Sequence, residues 1–459
     1  MALTPTEVAY RASELYELRM QERKRLDRIR MYLRGKPELT FLPPDVPREL
    51  QAIAMLSRVP LMGLIIKATV QQMFVDGYDA TDKDAATRVW TQVWQTNRWD
   101  KRQIPLHKST AAYGAAYGVI LPSEGEAAPP SARPLSPRQM TVSYGDDEDW
   151  PDYGLEQRHD GTWWFYDNAM VYEVRKIKPK RGKPGEPTVV FEHAGQTSHQ
   201  QQVCPIVRYL ADEDLDDPVQ GDVEPNMTLQ DQINLCTMHL YIAQHFGAHG
   251  RKILVGKMMQ SIEKQLQSSA STTLTITAHP DDFKVEEVSQ TNLDGFIASR
   301  EASARFAAAI SQTPAHELLG TLSNLAATAL LEARESTARK VAERKTVMGE
   351  GHEQLLGQAG TLLSPPVEVD PAARVRWKPM IDSRTIQFVS LLGVIADKLG
   401  VPQTELWKET PFSDATIKSW MDAKEELERT GEEPPGGQSA ALEGSPSQPM
   451  APTTISAVR

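Results

Sequence analysis

The chain has 459 residues, 40% of them hydrophobic and 24% charged, which supports several packed units, and its two cysteines, Cys204 and Cys236, imply a reducing compartment and no disulfide framework. Lys+Arg 50 against Asp+Glu 61 leaves a formal net charge of −11, which argues against gripping duplex DNA by neutralising phosphates but not against handling DNA without gripping it. The most apolar stretch, residues 111–122, is too short for the roughly 18 residues of a membrane span, and Glu7 and Glu14 precede any apolar run, so the reading is a soluble protein made in the cytoplasm, with no signal peptide.

Residues 4–34 read as a helix. Thr4-Pro5-Thr6-Glu7 is a start signal with proline in the first turn, and Leu15, Leu18, Leu26, Ile29 and Leu33 recur at three- and four-residue spacing before Gly35 and Pro37. Its stretch 19–34 holds seven basic residues and two acids: a solvated face, or a contact with an acidic neighbouring subunit or with DNA. Residues 48–76 are mostly helical and apolar, with Val75-Asp76-Gly77-Tyr78 turning outward. Residues 84–118 hold one or two further helices broken at Asn97, and Trp90 and Trp94, four apart, share a core-facing side. Tyr113-Gly114-Ala115-Ala116-Tyr117-Gly118 lets backbones approach closely. Residues 122–137, rich in Pro, Ser and Ala, read as a mobile loop.

A β region follows, with strands over 140–144, 154–157, 162–166 and 170–174, a hairpin signal at Asp160-Gly161, a basic turn over 176–187, a strand over 188–191 and then Pro205-Ile206-Val207. Asn226 after Pro225 reads as an N-cap for a helix running to about His249, where Gly250 stops it. Residues 251–290 are mixed: a strand at 253–255, helix at 258–266, a β run at 272–277 and an extended piece at 283–288. Helix resumes over 293–310, Pro314 and Gly320 interrupt it, and a long helix runs over 323–358, roughly 50 Å at 1.5 Å per residue. The Glu335–Arg339 and Arg339–Glu343 spacings mark its solvent face. Residues 383–429 carry more helices, and 430–459, rich in Gly, Pro, Ser and Glu, read as disordered.

Three constellations invite chemistry. The run Asp212-Glu213-Asp214-Leu215-Asp216-Asp217 is contiguous, so its carboxylates point different ways and lack the spaced glycine turn of a calcium loop. Cys236 and His239 fall on one side of a helix and His245 and His249 on nearly the opposite side, so four ligands cannot meet, and a pair at His245 and His249 would need ligands from elsewhere. The segment 250–257 resembles a phosphate loop but has five residues between its glycines, and Met258 stands where a magnesium-binding hydroxyl belongs. The reading is therefore a non-enzyme with no cofactor and no resident metal; a metal-dependent nucleic-acid enzyme using Asp214 and Asp216 is the alternative from another class.

The order of segments carries more than any one motif. Ala112-Tyr113-Gly114-Ala115-Ala116-Tyr117-Gly118 follows the Trp-rich helix, and Ser136-Pro137-Arg138 leads into Met140-Thr141-Val142. Tyr166-Asp167-Asn168 precedes Val171-Tyr172; Cys204-Pro205-Ile206-Val207 and Gly221-Asp222-Val223-Glu224 lead to Leu229-Gln230-Asp231-Gln232-Ile233-Asn234. Residues 324–334 then open the long helix. In this order the chain resembles the portal proteins of tailed phages, of the type found in siphophages of Gram-positive hosts. One departure is Leu325-Ala326-Ala327-Thr328-Ala329-Leu330, which lacks the acid that family members often carry there.

The resemblance implies an α+β portal fold: wing 1–225, stem helices 226–250 and 291–311 around a clip 251–290, tunnel loop 312–322, long helix and wing return 323–382, crown 383–429 and tail 430–459. It implies a homo-oligomeric ring, usually of twelve, in the virion at one capsid vertex and assembled in the host cytoplasm. Double-stranded DNA would pass without sequence specificity along a channel loop of Gln312, Thr313, Pro314, His316, Glu317 and Gly320. Lys257, Glu263, Lys264 and Gln265 of the clip would meet the terminase large subunit and later the head–tail adaptor, and the ring would contact major capsid and scaffold proteins. A head or connector protein other than the portal is the nearer alternative.

Overall fold

The computed structural model describes residues 3–38, 46–123, 125, 128–147, 149–180, 188–213, 219–247, 252–256, 283–287, 292–320, 327–379, 383–407, 410 and part of 417–429. The helix expected at 258–266, the β run at 272–277, the tail 430–459, Asp214 to Asp217, His249 and the docking residues Lys257, Glu263, Lys264 and Gln265 lie outside the described residues. The chain divides into two units, 1–378 and 379–459.

The first helix, α1 (Pro5–Leu33), starts where its sequence says: Thr4 Oγ1 accepts from the Glu7 amide at 3.3 Å, and Glu7 Oε2 accepts from the Thr4 amide at 2.8 Å, a reciprocal capping box. It bridges two cores. Val8, Ala12 and Leu15 pack on Leu155, Phe165, Tyr172 and Phe191, and further along Ile29 and Tyr32 pack with Met62, Ile65 and Ile66. The residues expected as one helical stretch at 48–76 form α2 (Arg48–Leu56) and α3 (Met62–Val70), separated around Pro60.

The outward turn expected at Val75 is instead strand β1 (Val75–Asp79), antiparallel to β12 (Arg374–Trp377). After α4 (Lys83–Val89), a π-helical turn over Trp90–Gln95 stacks Trp90 on Trp94 with centroids 4.8 Å apart. Arg98 then takes a left-handed φ of 56° before α5 (Trp99–Tyr113). The expected helical character of 115–118 gives way to strand β2 (Ala115–Leu121), the centre of a three-stranded sheet. One edge is β3 (Ser131–Leu135), inside the expected loop, where Pro134 is tolerated because an edge strand can lack one donor. The other edge is β9 (Ile206–Leu210).

The expected β region is a five-stranded antiparallel meander: β4 (Met140–Ser143), β5 (Tyr153–Gln157), β6 (Trp163–Tyr166), β7 (Met170–Lys180) and β8 (Val189–Ser198). Gly161, at φ 86°, supplies the turn between β5 and β6. The last two strands run beyond the expected 170–174 and 188–191 because each completes the other's hydrogen bonds.

Asn226 is not an N-cap. It ends a 3₁₀ turn, Glu224–Asn226, and its Nδ2 donates to the Asp222 carbonyl at 2.8 Å. Next come α6 (Met227–Gly247), the two-stranded β10 (Lys252–Gly256) and β11 (Phe283–Glu287), and α7 (Asp294–Ile310), a helix–ribbon–helix unit. The helices touch through His239 and Phe296, centroids 6.2 Å apart, and through Cys236 Sγ and Ser299 Oγ at 3.4 Å. Gln230 and Asn234 secure α6 to the chain before α3: the Gln230 amide donates to the Val59 carbonyl at 2.6 Å, and Asn234 Oδ1 accepts from the Val59 amide at 3.0 Å.

A short helix α8 (Ala315–Leu319) precedes α9 (Ala327–Gly360), whose 34 residues span about 50 Å. Its C-terminal half enters a core of Trp94, Trp99, Tyr209, Leu355 and Leu356. There His107 and His352, both fully buried, meet Nε2 to Nε2 at 2.8 Å, with the Tyr209 hydroxyl 3.2 Å from His352 Nδ1. In the second unit α10 (Ser383–Leu399) and α11 (Gln403–Trp407) are described, with Trp407 edge-on to Trp420 at 6.2 Å.

The close approach read at Gly114 is present. Gly114 has φ 94°, and a Cβ on Gly221 would lie 2.3 Å from the Ala112 carbonyl oxygen. Gly221→Ala should therefore force two backbones apart and lower stability by about 1–3 kcal/mol, measurable as a drop in thermal midpoint.

Candidate functional site

The expected channel loop begins as a folded corner. Ser311 closes α7, its hydroxyl donating to the Ala307 carbonyl at 2.6 Å. Gln312 turns left-handed at φ 51°, its amide donating to Ala309 and that of Thr313 to Ala308 at 2.9 Å, so the helix carbonyls are satisfied as the chain reverses. Pro314 then starts α8, and Gly320 ends it at φ 67° with its amide donating to the His316 carbonyl. Leu318 packs into the core with Ala307 and Ala308. Thr313 and Pro314 are buried within the chain and hold the turn; Gln312 and Gly320 are exposed, and His316 and Glu317 are half-buried.

Two carbonyls of the corner are fastened to the long helix. Lys340 Nζ donates to the Ser311 carbonyl at 2.9 Å, and Thr337 Oγ1 donates to that of Gln312. A cation at a helix C-terminus complements the carbonyl end of its dipole. Lys340 also pairs with Asp222 Oδ1 at 2.9 Å, and Arg344 pairs with the same oxygen at 3.0 Å. All three side chains are buried. Burial pushes the Lys340 ammonium below its ordinary value, and the Asp222 carboxylate opposes that shift. The Asp222 amide donates to the Ala111 carbonyl at 2.8 Å, so the network joins the end of α5 to α7 and α9. Beside it a cavity of about 410 Å³ is lined by Asp212, Glu213, Ile310, Gln312 and Glu343 among others.

The spacing argument on α6 fits this geometry: Cys236 and His239 face α7, whereas His245 Nε2 lies 2.5 Å from Glu49 Oε1 of α2. Among the described residues no three His, Cys, Asp or Glu side chains are placed to hold one metal ion, and no helix is long and apolar enough to cross a membrane. Sequence reasoning missed Thr337, Lys340 and Arg344 as a set. Their signal was present: they sit on the same buried stripe as Val341 and Met348, where an amphipathic helix ordinarily places only apolar groups.

Several packed cores, a helix–ribbon–helix unit and a corner fastened by buried ions make up the described body. The family model described as "Phage portal protein, SPP1 Gp6-like" matches residues 14–433, and the chain belongs to that family. Portal proteins are structural, non-enzymatic channel components of phage-type particles, and the chain is one of them. Among solved structures, a chain of "Virion of native gene transfer agent (GTA) particle" is similar at 14% identity and TM-score 0.44, over 80% of this chain and 95% of that one. A chain of "Neck of empty GTA particle computed with C6 symmetry" is similar at 14% identity and TM-score 0.43, over 82% and 94%. A chain of "Neck of native GTA particle computed with C12 symmetry" gives 14% and 0.43, over 79% and 93%. No curated protein sequence matches.

Proposed function

We propose that the chain forms the ring-shaped portal at one capsid vertex, through which double-stranded DNA is packaged and later ejected. The family match over 14–433 is the observation that carries this. In this reading α6 and α7 form the stem, residues 251–290 the clip that docks the terminase motor and then the head–tail adaptor, and 312–322 the loop facing the bore. The fastened start of that loop supports the last assignment: Thr337 and Lys340 hold its base, while exposed Gln312 and Gly320 lie at its surface. The net charge of −11 per copy favours sliding over gripping, because basic phosphate contacts would act as brakes.

Electron microscopy of the purified protein should show rings with a central hole and rotational symmetry, and the protein should hydrolyse no ATP when DNA is added. Monomers alone, or DNA-dependent ATPase activity, would overturn the reading. A bore that proved continuously basic in the assembled ring would overturn the sliding argument alone.

A further inference from the structure

The basic stretch of α1 does not simply face solvent. With the start of β4 and the end of β5 it encloses a groove of about 470 Å³ lined by Arg19, Arg23, Arg30, Arg138, Arg158 and His159. Two carboxylates share it, Glu22 and Asp27, and Asp27 is taken up by Arg138 and by Arg23 at 3.5 Å. Arg19 is only 8% exposed. Its Nη2 donates to the Arg138 carbonyl and to Gln157 Oε1 at 3.0 Å, and its Nη1 is buried with no hydrogen-bond partner among the described residues. No described carboxylate pairs with it. Burial, with Arg23 and Arg138 beside it, depresses the guanidinium to about 10. Asp27, already engaged by Arg138 and Arg23, offsets that only in part, so a further carboxylate in the groove relieves a remaining electrostatic cost.

The complementary charge lies on the same hairpin. The groove sits where β4 begins and β5 ends; the β4–β5 loop at the opposite end exposes Asp146, Asp147 and Asp149, which form no ion pair with any described residue. Strands of four or five residues separate the two ends by roughly 10–15 Å. Opposite charges at opposite ends of one hairpin suit a head-to-tail contact between copies, which forms a ring where its rotation closes. DNA fits the groove poorly. A slim carboxylate side chain can enter the groove and meet Arg23 and Arg158 at its mouth, above the buried Arg19, whereas phosphates on the outside of a wide duplex would stop at the rim.

Resting on the ring reading above, we propose that Asp146, Asp147 and Asp149 of one copy fill the Arg19 groove of the next, completing a site that a single chain leaves short of counter-ions. The test is made on rings imaged from the full unmodified chain. A chain carrying His159→Cys and Asp147→Cys on a Cys236→Ser background should give a ladder of disulfide-linked multimers on mild oxidation, while each single cysteine variant should give none beyond a dimer. Arg23→Glu with Arg158→Glu should cut the assembled fraction about tenfold, as like charges meet across the contact, and adding Asp147→Arg with Asp149→Arg should restore it. Rings that show no ladder and ignore the charge reversal would overturn the proposal and leave the ring reading standing. Absence of rings from the unmodified chain would overturn both. A reversal that alters only DNA retention, with assembly intact, would make the groove a phosphate site and also overturn it.

Discussion

Asp222→Ala should destabilise the 1–378 unit by about 3–5 kcal/mol, the range for breaking a buried ion network by removing one partner. The substitution leaves Lys340 and Arg344 buried within reach of each other with no anion between them, so desolvation and repulsion add. Lys340→Met should cost less, because Asp222 keeps Arg344 and the Ser311 carbonyl keeps a long hydrogen bond from Thr313 Oγ1 at 3.5 Å. The ordering separates a network from two independent pairs: the double variant Asp222→Ala with Lys340→Met should recover part of the loss, since one of the stranded cations is gone. Denaturant unfolding of the three variants measures this, and strictly additive losses would show that the groups do not act together. Hydrogen exchange at the amides of Gln312 and Thr313 should accelerate in Asp222→Ala, because the network that positions Lys340 also pins the corner. Unchanged protection there would mean the corner stands without it.

What the sequence disclosed follows the range of the interactions involved. The start of α1 at Thr4, the Trp90–Trp94 stack and the Asp160-Gly161 turn are settled within a few residues, so local chemistry announces them. Strands β1 and β12 are each short, and their partners are some 300 positions apart, so neither shows a pattern without the other. The β3 strand was hidden by its own proline, harmless only because that strand lies at a sheet edge. Residues 312–320 were legible as a break from Pro314 and Gly320, but not as a fastened corner. The fastening comes from Thr337 and Lys340 one helix later and from Asp222 about ninety positions earlier. The same holds for the α1 groove: its charge was countable, but Arg19's burial exists only once β4 and β5 close over it.

Acid should loosen this protein over a window set by its buried histidine pair. Burial holds His107 down to about 4, only partly opposed by the nearby Met73 backbone. Burial, then the neighbouring His107, holds His352 well below its ordinary value. Both imidazoles are thus neutral when folded, as their geometry requires: between two facing Nε2 atoms at 2.8 Å one must donate and the other accept. Unfolded, each would titrate near its ordinary value of 6.5. Between those limits the unfolded chain binds more protons, so stability is complete above about pH 6.5 and is lost as pH falls toward 4. For His107 alone the loss amounts to about 3 kcal/mol. Other groups act in or near this window: burial lowers His199 in the same sense, while Glu353, raised by burial, acts in the opposite one. Comparing variants with the unmodified chain removes their contribution. The double variant His107→Gln with His352→Gln keeps polar groups facing Tyr209 but cannot titrate. Its urea midpoint at pH 7.5 should fall modestly, and its further loss between pH 6.5 and 4 should be clearly smaller than that of the unmodified chain. Parallel pH profiles would show that protonation elsewhere governs the acid response and that this pair, at the joint between α5 and α9, does not.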